Sequence, residues 1–241
     1  MRQRERAIEA VALPRWIPYG SYRSDGNGQR AVTTSENHLE RGRKTRRRVL
    51  QRAVQIATRE GLEALTIGRL AEEVGLTKAG LLGHFGTKQA LQLATLQAGQ
   101  REFVEAVVGE EESSDLAGLV RLLDRWLETG AQKPGGCFFA SVAAEFDAKP
   151  GPVRDSVAAL VSAWMGELSA RVEAAQRARQ LKRDISPRDL AMGLYGVELV
   201  MNLRRQLLDD ASALKDGRRA MRALLLAHAT PSGGRLLHAL R

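Results

Sequence analysis

The chain of 241 residues has a single cysteine, Cys137. One thiol excludes an intramolecular disulfide and a cysteine-based metal site within one chain, and it suits a reducing cytoplasm. No apolar run approaches the ~20 residues that cross a membrane. The N-terminus has no continuous apolar segment of the secretion-signal kind. The four histidines, His38, His84, His228 and His238, are isolated from one another, and none stands in an HExxH or CxxC setting. There is no GxSxG and no phosphate loop. The acidic pairs and runs, Glu110 to Glu112 and Asp209-Asp210, read as solvated residues at a loop or helix end. No catalytic centre, metal site or cofactor is therefore recognisable by spacing, which leaves only a cluster assembled by folding. Strand-like alternation and internal repeats are absent too, so the expectation is an all-α protein.

Positive charge is abundant and unevenly placed. The net charge is +9. Residues 1–44 hold nine Lys/Arg against five Asp/Glu, residues 45–104 the same, and residues 105–241 hold nineteen against eighteen. The cationic excess sits in the N-terminal part, as for a polyanion-binding head on a nearly neutral body. Residues 1–42 read as a flexible basic arm: Pro14, Pro18 and Gly20 break any helix there, and residues 21–37 are rich in Gly, Ser, Asn and Thr. Such an arm either reaches a minor groove or is an inert extension.

The organising stretch is residues 66–85, TIGRLAEEVGLTKAGLLGHF. Thr66 stands where an N-cap belongs, and Ile67, Leu70, Ala71 and Val74 form one helical stripe. Gly75 suits a left-handed helix end. Thr77 then caps a second helix whose first turn is Lys78, Ala79 and Gly80, a cation beside two small residues that lets the helix end approach a phosphodiester backbone. Thr87 and Lys88 open a further helix, running to about Val104, whose N-terminus can hold a phosphate. Upstream, a helix is expected from a Thr45 cap to Glu60, with Leu50, Ala53, Val54 and Ala57 buried. Arg46, Arg47 and Arg48 in its first turn would oppose the helix dipole unless a phosphate lay nearby.

This arrangement resembles the DNA-binding domain of the TetR family of bacterial regulators. The resemblance covers Thr45 to about Ala98. It rests on Glu60-Gly61, the IGRLAEEVGLT run, and the trailing His84-Phe85-Gly86-Thr87-Lys88. Leu82 departs from the pattern, since the family usually places an aromatic there that reaches a phosphate. The resemblance implies a helix-turn-helix domain over residues 43–104. Thr77, Lys78, Ala79 and Gly80 would face the groove, and Arg46, Thr66, His84 and Lys88 would hold the DNA backbone. His84 has a second reading, as the residue that ends the recognition helix.

Residues 105–241 read as a helical body. Helices are expected from a Ser114 cap to Leu127, ending at Gly130, then over Cys137 to Phe146, from Val153 to about Gln180, from Pro187 to about 208, and over about 214–228. Pro231 onward reads as a frayed tail. Between Leu190 and Leu203 only Glu198 and Asn202 are strongly polar. A helix so apolar all round is buried on more than one side, either inside one chain or in a four-helix bundle made by 187–208 and 214–228 of two chains. The resemblance favours the dimer. It also implies a small-molecule pocket in the body, for which Trp126, Phe138, Phe139, Trp164 and Tyr195 are candidates, although large apolar residues at helical spacing more often form core. Cys137, in an apolar segment, reads as packing rather than as a sensor. The function implied is a cytoplasmic homodimeric repressor, released from a palindromic double-stranded operator by an unknown small molecule. An activator with the same head, and a DNA-anchored enzyme, are the alternatives.

Overall fold

The computed structural model describes residues 34–109, 113 and 115–240, with side chains from Glu40 onward. Among the described residues there are ten α-helices and no strand. None of these helices is long and apolar enough to cross a membrane.

Helix α1 spans Thr34–Glu60. It starts eleven residues before the expected Thr45 cap, because no proline interrupts it and Gly42 costs only about 1 kcal/mol relative to alanine. Thr45 and the three arginines after it therefore lie inside a helix, so the expected conflict with an N-terminal dipole does not arise. Of the flexible arm expected over residues 1–42, residues 34–42 belong to this helix, and residues 1–33 lie outside the described residues.

The next three helices begin in the same way. In α2 (Ile67–Val74), the Thr66 hydroxyl accepts from the Arg69 N–H at 3.1 Å. In α3 (Lys78–Phe85), Thr77 accepts from Gly80 at 3.0 Å. In α4 (Lys88–Phe103), Thr87 accepts from Ala90 at 3.0 Å. Gly75 ends α2 in the left-handed conformation, with φ of 68°. Helix α4 continues as a π-helical turn, Val104–Val108.

The body begins with α5 (Leu116–Gln132). Its cap is Asp115, whose Oδ1 accepts from Gly118 N–H at 3.0 Å and from Ser113 Oγ at 2.5 Å. The expected cap, Ser114, lies outside the described residues, and Gly130 is inside the helix rather than at its end. Helices α6 (Phe138–Phe146), α7 (Pro152–Arg177), α8 (Pro187–Leu207) and α9 (Ala213–Ala227) follow. The Ser186 hydroxyl caps α8 by accepting from Asp189 N–H at 3.1 Å. The expected frayed tail is instead a helix, α10 (Pro231–Ala239), capped by Thr230 and with Leu237 buried.

One core runs through α1 to α4 and on into the body. Val49, Ala53, Ala57, Leu62, Leu70, Leu81, Phe85 and Leu91 are continuous with Phe138, Val142 and Phe146 of α6 and Val153 and Val157 of α7. Helix α8 packs on α7 and α9. Leu190, Ala191, Leu194, Glu198 and Met201 are its buried face. Met192, Val200, Leu203 and Leu207 stand exposed on it, up to 73 % for Leu207.

Candidate nucleic-acid interface

Helix α3 is held from beneath and open above. Leu81 and Phe85 are buried in the core, while Thr77, Lys78, Ala79, Gly80, Leu82 and Gly83 are exposed. Thr77 spends one lone pair on its cap, which leaves its hydroxyl hydrogen free to donate; Thr66 is in the same position. The Lys78 stem lies back over Gly68 of α2. A Cβ at Gly68 would stand 2.9 Å from Lys78 Cε, so any larger residue there would push the lysine tip aside. The Lys78 ammonium is thereby placed near the start of α2 as well as in the first turn of α3. Two helix N-termini and one cation converge, and both N-termini favour negative charge.

The far end of α3 is locked to α1. The Arg46 guanidinium lies 4.4 Å from the Phe85 ring centroid and donates to the His84 carbonyl at 3.1 Å. Arg46, expected to hold the DNA backbone, is engaged through one guanidinium nitrogen and its ring contact with the recognition helix itself. Neighbouring Arg48 donates to the Val74 carbonyl at 3.3 Å, and Arg52 to the Glu73 carboxylate at 2.5 Å. Arg47 is exposed. The His84 ring is half-buried, tilted 6.3 Å from Phe85.

Lys88, at the first position of α4, donates to the Glu63 carbonyl at 2.8 Å and meets its carboxylate at 3.4 Å. Gln92 donates to that carboxylate at 3.1 Å and, with Lys88 beside it, holds the Glu63 carboxyl below its ordinary range. An ammonium has three hydrogens, so one remains for a further acceptor.

The loop joining α1 to α2 is also gripped from the body. Glu145 of α6 accepts from Leu62 N–H at 2.6 Å and Glu63 N–H at 2.9 Å. Gly61, with φ of 90°, makes the approach possible: a Cβ there would meet Glu145 Oε1 at 2.8 Å. At the other end of α6, the Cys137 N–H donates to Asn202 Oδ1 of α8 at 2.8 Å. Helix α6 is thus a strut from α8 to the helix-turn-helix. Sequence reading missed Glu145, an ordinary acidic residue in a helix with no local pattern to mark it.

Residues 49–95 match the sequence model of bacterial regulatory proteins of the tetR family. Residues 116–221 match the tetracyclin repressor-like C-terminal domain. The chain belongs to the TetR family. It is a transcriptional regulator with a DNA-binding helix-turn-helix head and a larger helical body, and the family is not one of enzymes, which removes the enzyme alternative. Solved structures with this fold include a TetR transcriptional regulator from Chloroflexus aurantiacus at 21 % identity and TM-score 0.69, covering 79 % of this chain and 98 % of that one. A TetR-family regulator from Agrobacterium tumefaciens is similar at 20 % identity and TM-score 0.69, over 78 % and 100 % of the two chains. One from Cytophaga hutchinsonii shows 15 % identity and TM-score 0.68, over 79 % and 97 %. No curated protein matches the chain.

In the TetR-type body the aromatic candidates meet. Tyr195 stacks on Trp126 with centroids 5.6 Å apart, Trp126 meets Trp164 edge-on at 5.0 Å, and Trp164 meets Phe103 at 4.8 Å. Phe103 continues to Phe139 at 5.7 Å, and Phe139 to Phe138 at 5.1 Å. Phe103 was not among the residues expected here; it comes from the end of α4, where nothing local marks it. Beside this chain of rings, Cys137 is buried and its thiol is held far above the ordinary range by desolvation and by Glu198. That environment makes it inert rather than reactive.

Proposed function

We propose that the protein is a homodimeric, ligand-released repressor that binds a palindromic double-stranded operator in the cytoplasm. The observation that carries the DNA-binding part is the exposed first turn of α3, where Thr77, Lys78, Ala79 and Gly80 are uncovered and Lys78 bridges to the start of α2. In this reading these four residues enter the major groove. Thr66, Lys88 and the His84 ring hold phosphates, and Arg46 positions α3 rather than touching DNA. With Leu82 replacing the usual ring, the surface on that side is short and apolar.

Dimerisation is supported by the exposed apolar stripe of α8, Met192, Leu199, Val200, Leu203 and Leu207, with Leu208 just beyond. Monomeric proteins rarely leave such a contiguous stripe in water. Pairing it, together with α9, against a second copy covers it. Two heads then address half-sites about 34–36 Å apart. A ligand in the body shifts the balance only by preferring one head separation over the other. Through Asn202, α6 and Glu145, the body has a mechanical route to the heads.

The test is an equilibrium titration on DNA flanking the protein's own gene against a scrambled duplex of equal length, between 50 and 200 mM salt. The expected result is salt-sensitive binding of one segment at about 10⁻⁸ M or tighter, at least 10³-fold stronger than the scramble. Equal weak binding of both duplexes overturns the sequence-specific reading.

A further inference from the structure

The side chain of Glu198 is wholly buried on the inner face of α8, and neither carboxylate oxygen has a hydrogen-bond partner among the described residues. The Cys137 thiol lies alongside, but S–H is a weak donor and the contact does not reach ordinary hydrogen-bond geometry. Across from it is Gly130, where even a Cβ would stand only 3.5 Å from Oε1, and the Met201 methyl is near the same point. Tyr195, one turn earlier on α8, stacks on Trp126, and the buried Trp126 indole N–H also finds no acceptor. No lysine, arginine or histidine among the described residues pairs with Glu198.

Packing does not explain this arrangement. A leucine or methionine would fill the position without desolvating a carboxyl group, and native proteins rarely leave a buried polar group unmet without a use for it. What is missing is a donor, and the nearest ring is that of Tyr195, whose phenol feels the Glu198 charge and which stacks on Trp126, rings of the kind that attract cations. Resting on the reading of the body as a ligand-binding domain, we propose that Glu198 is the charge anchor of that site and that its ligand is a lipophilic organic cation, a protonated amine carrying an aromatic or alkyl group. The carboxylate takes the ammonium, and Trp126, Tyr195 and Trp164 flank the apolar part. The site lies one helical turn from Asn202, which accepts from the N–H of Cys137, the residue just before the α6 strut. The outer face of the same α8 is the proposed dimer surface. An ammonium drawn to Glu198 therefore acts on the one helix that touches both the strut and the second copy.

The experiment uses the full chain, first shown to bind its operator. Binding of 2-phenylethylammonium and n-octylammonium is measured by calorimetry and tryptophan fluorescence at pH 8, beside the neutral 2-phenylethanol and the anionic 3-phenylpropionate. Each amine is expected to bind at least about tenfold tighter than the alcohol, with the acid weakest, as one desolvated charge pair implies. Glu198→Gln, checked for folding by its melting curve, is expected to erase the preference. Glu198→Asp keeps the charge and is expected to retain the preference at lower affinity. Glu198 sits near pH 7 in its titration because of desolvation. Amine affinity is accordingly expected to fall about tenfold per pH unit below 7 and to level off above it. Cys137 and Tyr195, the other titratable groups facing it, are both pushed upward, Tyr195 to about 12, and do not titrate in this window. Equal binding of amine and alcohol, preference for the acid, no amine binding below about 10 mM, or an unchanged preference in Glu198→Gln would each overturn the proposal. Loss of operator binding itself is a separate outcome, and it would strike the DNA-binding reading instead.

Discussion

The head and the body of this chain differ in how completely they satisfy their own groups. In the head, three threonines close three helix starts, and Arg46, Arg48, Arg52, Arg69 and Lys88 each have a partner within the fold. What remains open there is small: the uncovered turn from Thr77 to Gly80, and scattered polar groups such as Arg47 and the Thr66 hydroxyl. The body leaves larger things unmatched: a stripe of apolar side chains on the outside of α8 and a carboxylate with no donor on its inside. A self-contained head suits a rigid probe that reads a fixed surface. An incomplete body suits an element whose state depends on what joins it, a second copy outside and a ligand inside.

The sharpest way to break that contrast is to alter the outside of α8. Changing Leu203 and Leu207 together to Arg leaves every head residue untouched. Sedimentation is expected to show a monomer, and operator affinity is expected to fall by about 10² or more, since the second head no longer binds intramolecularly. A variant that stays dimeric would move the interface elsewhere.

The inside of α8 gives the next effect. Burial raises the Glu198 carboxyl to about 7 from its ordinary 4.5. A carboxyl raised on folding makes the folded state bind its proton more tightly, so its contribution favours folding at low pH. That contribution is lost as pH rises from about 4.5 to 7 and changes no further above that. Urea unfolding is expected to show wild type losing about 3 kcal/mol through this group between pH 4.5 and pH 8. Glu198→Gln should lack that component. Parallel pH profiles for the two proteins would mean that Glu198 is not desolvated as described.

Between head and body, Glu145→Ala leaves the Leu62 and Glu63 N–H groups without their acceptor. The expected loss is about 1–3 kcal/mol in thermal or urea unfolding, together with weaker coupling between ligand and operator. A variant as stable and as well coupled as wild type would remove α6 as the strut. The smallest effect is expected in the head. Lys88→Ala should weaken binding to all duplexes alike and lower the salt slope by about one unit. An unchanged slope would mean that its bonds to Glu63 are its whole role.

The same contrast governs what could be read from sequence. Thr66, Gly75, Thr77 and Thr87 mark their helix ends by chemistry that acts within three or four residues, so the helix-turn-helix was legible to its boundaries. The start of α1 at Thr34 was not, because a basic, glycine-containing segment carries no stripe to reveal a helix. Helix α10 was missed for a different reason. Thr230-Pro231 is the same start signal as Ser186-Pro187, but Gly233 and Gly234 masked it. A Cβ at Gly233 would run into the Gln180 carbonyl, so that glycine serves close packing rather than looseness. In the site, the exposed turn from Thr77 to Gly80 could be foreseen, whereas the Arg46 contact with Phe85 could not, since it joins residues 39 apart. Glu198 stood out in sequence as one of two strongly polar residues in an apolar helix. Only the fold shows that it faces inward, toward Gly130 and Cys137 and near Tyr195.

The most direct test of a body that makes two identical heads act together is a spacing experiment on the operator. Five base pairs inserted between the half-sites keep every base each head reads, but turn one half-site about half a helical turn to the opposite face of the DNA. The prediction is that two chains bind the natural spacing and that the insertion lowers affinity by about 10² or more, to that of an isolated half-site. Equal affinity for both duplexes would show that the heads bind independently and would contradict the account.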